Sequence, residues 1–369
     1  MRIVITGQVG LDRKPLLHRC VEMARRQGCD LKLLSIGEMM YAEAPDVPRG
    51  RILDLPLSRL NSLRRSVFKD VLAACRTSAN IIVNTHATFR WRHGLFPAFD
   101  YDQMIALEAD LYLIVVDNVD RVHWRLVRDG HSDHTLKDLM VWREEEILAT
   151  ELLCQGVGNG GKCYVIARGS EDSMARALMG LIFNPRMKKA YLSFPMSHVS
   201  ANPDVLAEID AFRRQLKPFF VCFDPSDMEE KYLSVLALQA AAEGHRTITA
   251  GPAGEQATLD VHELLDILPD IDGQIYARDF KLIDQSDMIV SLIPALAGGQ
   301  PGISSGVERE LQHAHEAAKE VYVIWRPTAA PSPFITETAT KVFTTVAEAM
   351  KFFQDGNYFH SGPLGSLFR

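Results

Sequence analysis

The chain has 369 residues, enough for two domains, and its 47% hydrophobic and 24% charged residues are typical of a globular protein able to bury two cores. A formal net charge of −7 argues against a nucleic-acid binder, and no apolar run approaches the roughly 20 residues a membrane helix needs. Six cysteines without a CxxC pair argue against a zinc site or a disulfide framework, and the start carries no signal pattern, so a cytoplasmic location is expected.

Residues 2–6 read as a buried strand. The turn Gly7-Gln8-Val9-Gly10-Leu11-Asp12-Arg13-Lys14 follows, and then a helical pattern through Leu16, Leu17, Cys20, Val21 and Ala24. Strand, glycine turn and helix is the setting of a phosphate-binding loop. In the register G-x-x-x-x-G-K-[ST] from Gly7, however, Asp12 replaces the second glycine, Arg13 the lysine and Lys14 the hydroxyl residue. A carboxylate then stands where phosphate oxygens belong and no hydroxyl is left for magnesium, which predicts nucleotide binding through Arg13 or Lys14 without efficient phosphoryl transfer. Asn80–Ala87, Leu111–Asp117 and Cys163–Ala167 read as further buried strands with helices between them, a parallel α/β pattern. Arg90, Arg92 and His93 form a local cationic cluster suited to a small anion.

The chain up to about residue 185 resembles adenylate-kinase-like P-loop nucleotide kinases, especially the archaeal type. The resemblance lies in the Gly7/Gly10 turn, Asn84-Thr85-His86-Ala87, Gly94-Leu95-Phe96-Pro97 and the Asp120…Arg125…Arg128-Asp129 stretch, which resembles the start of a lid. It implies an ATP-like nucleotide as a possible ligand, held by Gly7, Gly10, Arg13, Lys14, Arg125 and Arg128. Asn84 stands where that family usually has an Asp supporting magnesium. The module is therefore expected to be a degenerate kinase serving nucleotide binding, dimerisation or regulation.

Asn184–Lys189 has the proline and basic run of a linker, and the expected domains are 1–186 and 187–369. The second begins with a strand at 190–195 and helical spacing at Val205, Ile209, Phe212 and Leu216. A strand at 219–223 follows, then a less regular insertion over 226–270 with Gly251-Pro252-Ala253-Gly254 inside it. Strands at 288–293 and 321–325 complete the pattern. The fold class is thus α/β, with two doubly wound parallel-sheet domains.

Between the last two strands, Ser304-Ser305-Gly306 enters a helix whose first turns carry Glu308 and Glu310. Unpaired N–H groups and the helix dipole favour an anion at such a start, and an ordinary Ser N-cap gives the same local pattern. His131-x-x-His134 and His313-x-His315 lack dependable metal-ligand spacing and read as surface histidines.

This half resembles the nucleoside 2-deoxyribosyltransferase superfamily, and within it the 2′-deoxynucleoside 5′-phosphate N-hydrolases. The matching residues are Tyr191-Leu192-Ser193, Asp279 eight positions before Asp287, and Ser304-x-Gly306-Val307-x-x-Glu310-Leu311-x-x-Ala314. The resemblance implies Glu310 as nucleophile at the anomeric carbon, Asp279 as acid or base near the leaving base and Tyr191 as orienter of Glu310. Ser193, Ser304, Ser305 and Gly306 would bind substrate phosphate. Transferases of the family carry Asp at the position of Ser304, so the serine points to 5′-monophosphates. Phe194 stands where the family has a glycine, and Glu308 adds a second carboxylate.

The function expected on this basis is an N-glycosidase that cleaves (deoxy)nucleoside 5′-monophosphates. The alternatives are a base-exchanging deoxyribosyltransferase, a hydrolase of a larger nucleotide such as NAD, or a non-catalytic nucleotide sensor. No metal or cofactor is required for that half. The expected partners are a nucleotide monophosphate and further copies of the chain, as a homodimer or higher homo-oligomer, with no nucleic acid and no membrane. The aromatic tail from Asn357 to Pro363 is a candidate to complete a neighbour's site.

Overall fold

A computed structural model describes residues 1–91, 94–157, 161–196, 199 and 202–359. Arg92, His93 and the tail from His360 onward lie outside them. The chain forms two compact units, the first made of Met1–Ala175 with Met228–Gly273, the second of Arg176–Asp227 with Gln274–Arg369. A single cut near residue 186 does not describe this partition. Much of the stretch read as an insertion joins the first unit, where Glu230 and Glu255 neutralise Arg143 and Arg125.

The first unit is built on a five-stranded sheet in the order Lys32–Ser35, Ile81–Asn84, Arg2–Thr6, Leu111–Val116, Lys162–Ala167. Every pairing in it is parallel, with Ile3 opposite both Ile82 and Leu111. A parallel sheet is covered on both faces, so its strands read as nearly unbroken apolar runs; Ile3, Val4, Ile5 and all of Leu111–Val116 are buried. The helix Leu57–Ala74 packs with Leu60, Val67, Phe68 and Val71 inward, and Arg64 shares that face. The long helix Leu136–Val157 likewise carries Arg143 and Glu146 within its buried stripe of Leu139, Met140, Ile147 and Leu153. A charge on an apolar face must be paired or hydrogen-bonded. Arg64 and Glu146 are what the site turns on.

Residues 228–273 add the helix Lys231–Ala242, an antiparallel hairpin of Thr247–Ala250 with Ala257–Asp260, and the start of the helix Val261–Asp284. The second unit has its own parallel five-stranded sheet, ordered Lys341–Phe343, Glu320–Trp325, Met288–Ile293, Lys189–Ser193, Val221–Phe223. Its core joins Leu192, Phe194, Phe212, Val290, Tyr322 and Phe353. Phe359 stacks on Phe219 with ring centroids 4.3 Å apart, and Tyr358 bonds Tyr322 and Glu320. Both residues are thereby tied to the core of their own unit. Among the described residues no helix is long and apolar enough to cross a membrane.

Candidate functional site

The turn after the first strand has the backbone of a phosphate loop and the wrong contents. Gly7 and Gly10 take positive φ of 147° and 90°, and Asp12, where a glycine was expected, is itself left-handed at φ 46°. Leu11 folds inward: a Cβ on Gly7 would lie 2.5 Å from its Cδ1 and 3.0 Å from the guanidinium of Arg13. Arg13, in the lysine position, is buried and donates to the carbonyl of Thr85 at 2.7 Å. Burial lowers its pKa to about 10 against the pull of Glu146. His86 donates from Nδ1 to the Gly7 carbonyl at 2.6 Å, and burial followed by the Arg13 charge lowers its pKa to about 3, so the ring is neutral. Its other nitrogen is then free to accept from Arg13 at 3.5 Å.

Behind the turn sits Glu146. It accepts from the N–H of Gly7 at 2.8 Å, of Ala87 at 2.8 Å and of Thr88 at 2.7 Å, and from the Thr88 hydroxyl at 2.8 Å. Burial pushes its pKa up while these donors oppose the shift. These four bonds tie the loop to the end of the strand Ile81–Asn84. Sequence reading missed it, although its place on an apolar stripe was the available signal.

The arginines expected to meet nucleotide are paired internally. Arg125 bonds Asp117 at 2.7 Å and Glu255 at 2.9 Å, and Arg128 bonds Asp12 at 2.9 Å and Asp129 at 2.8 Å. Arg168, next to them, donates to the carbonyl of Leu11 at 2.8 Å. Lys14 pairs with Glu38 on the surface.

Beside the turn lies a cavity of about 240 Å³, lined in part by Lys14, Tyr41, Arg49, Arg64, Asn84, His86, Phe89, Trp91 and His131. Arg64 is the unusual member. It is buried, it donates to the carbonyl of Pro97 at 3.0 Å and to the side chain of Asn61, and its Nε has no partner. No ion pair to it exists among the described residues, and burial lowers its pKa to about 10. Trp91 meets His131 edge-on with ring centroids 4.9 Å apart and His134 at a tilt at 5.2 Å, so these histidines pack against the wall and are not free surface residues. Asn84 lines the cavity and donates to the Ser35 hydroxyl at 3.4 Å. Arg90, from the predicted cationic cluster, is held by Glu145.

In the second unit the structure brings together four of the seven residues predicted there. Tyr191 donates to Glu310 at 3.0 Å and Ser193 donates to its other oxygen at 2.6 Å. Asp279 is close enough that its charge adds to burial in raising the Glu310 pKa to about 8. Burial raises Asp279 as well, against Arg278 at 3.4 Å. Ser304 is placed differently. Its hydroxyl accepts from the Val307 N–H at 3.3 Å as an N-cap, while Ser305, Gly306 and Glu308 are exposed. Phe194, in place of the glycine, fills the core against Phe212 at 6.4 Å.

No protein-family model matches the chain. Among curated proteins, its N-terminal half is similar to the adenylate kinase of Pyrococcus abyssi, 20% identical over 185 residues, 49% of this chain and 92% of that protein. The adenylate kinase of Methanocaldococcus jannaschii is 22% identical over 131 residues, 34% of this chain and 68% of that protein. Among solved structures, a shikimate kinase from Bacteroides thetaiotaomicron shares 12% identity with a TM-score of 0.33, covering 49% of this chain and 97% of its own.

The first half therefore resembles adenylate kinases, as its motifs suggested. The expected enzyme class, an N-glycosidase or deoxyribosyltransferase, is corrected by the same finding. The relatives named above are kinases, and nothing in the comparisons shows the deoxyribosyltransferase-like resemblance of the second half.

Proposed function

We propose that the chain is a nucleotide-binding protein whose kinase-like unit holds a nucleoside monophosphate in the cavity beside the glycine turn, as a sensor and not as a phosphoryl-transfer enzyme. The observation that carries this reading is Arg64, a buried guanidinium with no ion pair among the described residues, in a cavity whose wall also holds the rings of Tyr41, Phe89 and Trp91. An unpaired buried cation is destabilising by several kcal/mol in general, and a bound anion removes that penalty. Arg49 and the Lys14–Glu38 pair line the same cavity, while Tyr41, Phe89 and Trp91 offer faces on which a base can stack. The similarity to adenylate kinases makes adenosine monophosphate the first ligand to test.

Phosphoryl transfer lacks support in the donor loop. Asp12 places negative charge at the turn, Arg13 is turned inward to Thr85, and no hydroxyl stands at position 14 to help hold a metal. Such a unit is expected to bind AMP and to form no ADP from AMP and MgATP. Titration calorimetry with AMP, dAMP, CMP and GMP, alongside chromatographic detection of ADP, tests both parts. Failure to bind any monophosphate, or ADP formation at ordinary kinase rates, would falsify the proposal.

A further inference from the structure

The segment Gly251-Pro252-Ala253-Gly254 plays no part in the cavity, yet its geometry is tightly specified. Gly251 has φ 106° and Gly254 φ 88°, and a Cβ on Gly251 would stand 2.3 Å from the carbonyl oxygen of Glu255. The N–H of Glu255 closes the turn on Pro252 O at 2.9 Å. The turn delivers the Glu255 carboxylate to Arg125, 2.9 Å away.

Arg125 is fully buried, touches the carbonyl of Gly10 at 3.4 Å and keeps an Nε without a partner. Arg168 and Arg121 each lie 3.9 Å from the Asp117 that also holds Arg125. Asp120 and Asp12 act on Arg121 and Arg168, and Arg125 itself is paired with two carboxylates, Asp117 and Glu255. These differ in kind: the Asp117 side chain is inaccessible, whereas that of Glu255 is 34% exposed at the end of a hairpin turn. Moving Glu255 into water sacrifices one ion pair on a part-exposed group. What it leaves behind is a buried Arg125 with one carboxylate, Asp117, that it shares with Arg168 and Arg121, a setting that attracts another anion.

We propose that Glu255 is a built-in competitor for a phosphate chain: it occupies Arg125 at the edge of the glycine turn and excludes di- and triphosphates from that site while it is engaged. This does not depend on the monophosphate reading of the cavity, since Glu255 lines no part of it.

The test is titration calorimetry of the full chain and its Glu255→Gln variant with inorganic tripolyphosphate and, separately, with ATP. Glu255→Gln preserves shape and is expected to bind both probes at least ~10-fold more tightly than the parent, a free-energy change of about 1.4 kcal/mol. Glu255→Asp, which keeps the charge, should stay within about threefold of the parent, and the gain should vanish in Glu255→Gln/Arg125→Gln. Equal affinity of Glu255→Gln and the parent for both probes overturns the proposal. So does a gain that persists without Arg125. A gain for ATP and none for tripolyphosphate overturns the assignment of the phosphate chain as the recognised group.

Discussion

Two carboxylates, one in each unit, start from the same physics and end in different states. Glu146 and Glu310 are both pushed up in pKa by loss of water. Glu146 meets four donors, three of them backbone N–H groups that cannot move without moving the sheet. Glu310 has two side-chain hydroxyls and a neighbouring Asp279 whose charge opposes its own. Saturation by backbone donors makes a carboxyl group a structural fastener, while partial satisfaction beside a like charge leaves it able to take up a proton near neutral pH. A shifted pKa by itself therefore does not distinguish a reactive group from a fastening one.

The largest effect that sharpens this contrast comes from Glu146→Ala. It strands the donors of Gly7, Ala87 and Thr88, and is expected to destabilise the first unit by about 3–5 kcal/mol in urea unfolding. A loss below about 1 kcal/mol would show that Glu146 is not the fastening group.

For Glu310 the contrast predicts a pH dependence. Its folded pKa of about 8 lies above the ordinary ~4.3 of an unfolded Glu, so its contribution is fully present below pH ~4. That contribution is lost as pH rises through about 8, on the order of a few kcal/mol, and raised Asp279 adds to the same slope. Glu310→Gln should flatten the slope over that window in chemical denaturation followed at several pH values. An unchanged slope contradicts the assignment. The smallest effect is Ser304→Ala, which removes the N-cap acceptor for Val307 and should lower the second unit's stability by about 1 kcal/mol without changing its pH dependence.

The parallel sheets were legible because buried strands such as Leu111–Val116 and Met288–Ile293 are apolar throughout, a local property of the chain. The altered phosphate loop was legible too, since Asp12, Arg13 and Lys14 occupy positions whose chemistry is set by the motif. Less was legible where meaning depends on a distant partner. Arg64 and Glu146 sit at helical spacing among apolar residues, but only the fold shows that one lacks a carboxylate and the other is surrounded by N–H groups. The stretch 228–273 looked irregular because its helices and hairpin are organised around Arg125 and Arg143, more than 80 residues earlier in the chain. Ser304 shows the opposite limit. A serine before a helix reads the same whether it caps or binds phosphate, and the structure uses its hydroxyl as a cap.

If Arg64 is the anion anchor of a monophosphate-binding cavity, AMP titration of the parent chain beside Arg64→Ala shows it. Saturable binding to the parent is expected, with a loss of at least ~30-fold in Arg64→Ala, about 2 kcal/mol for a charge-assisted contact, and the variant still folded by circular dichroism. Equal AMP affinity in the two proteins would contradict it.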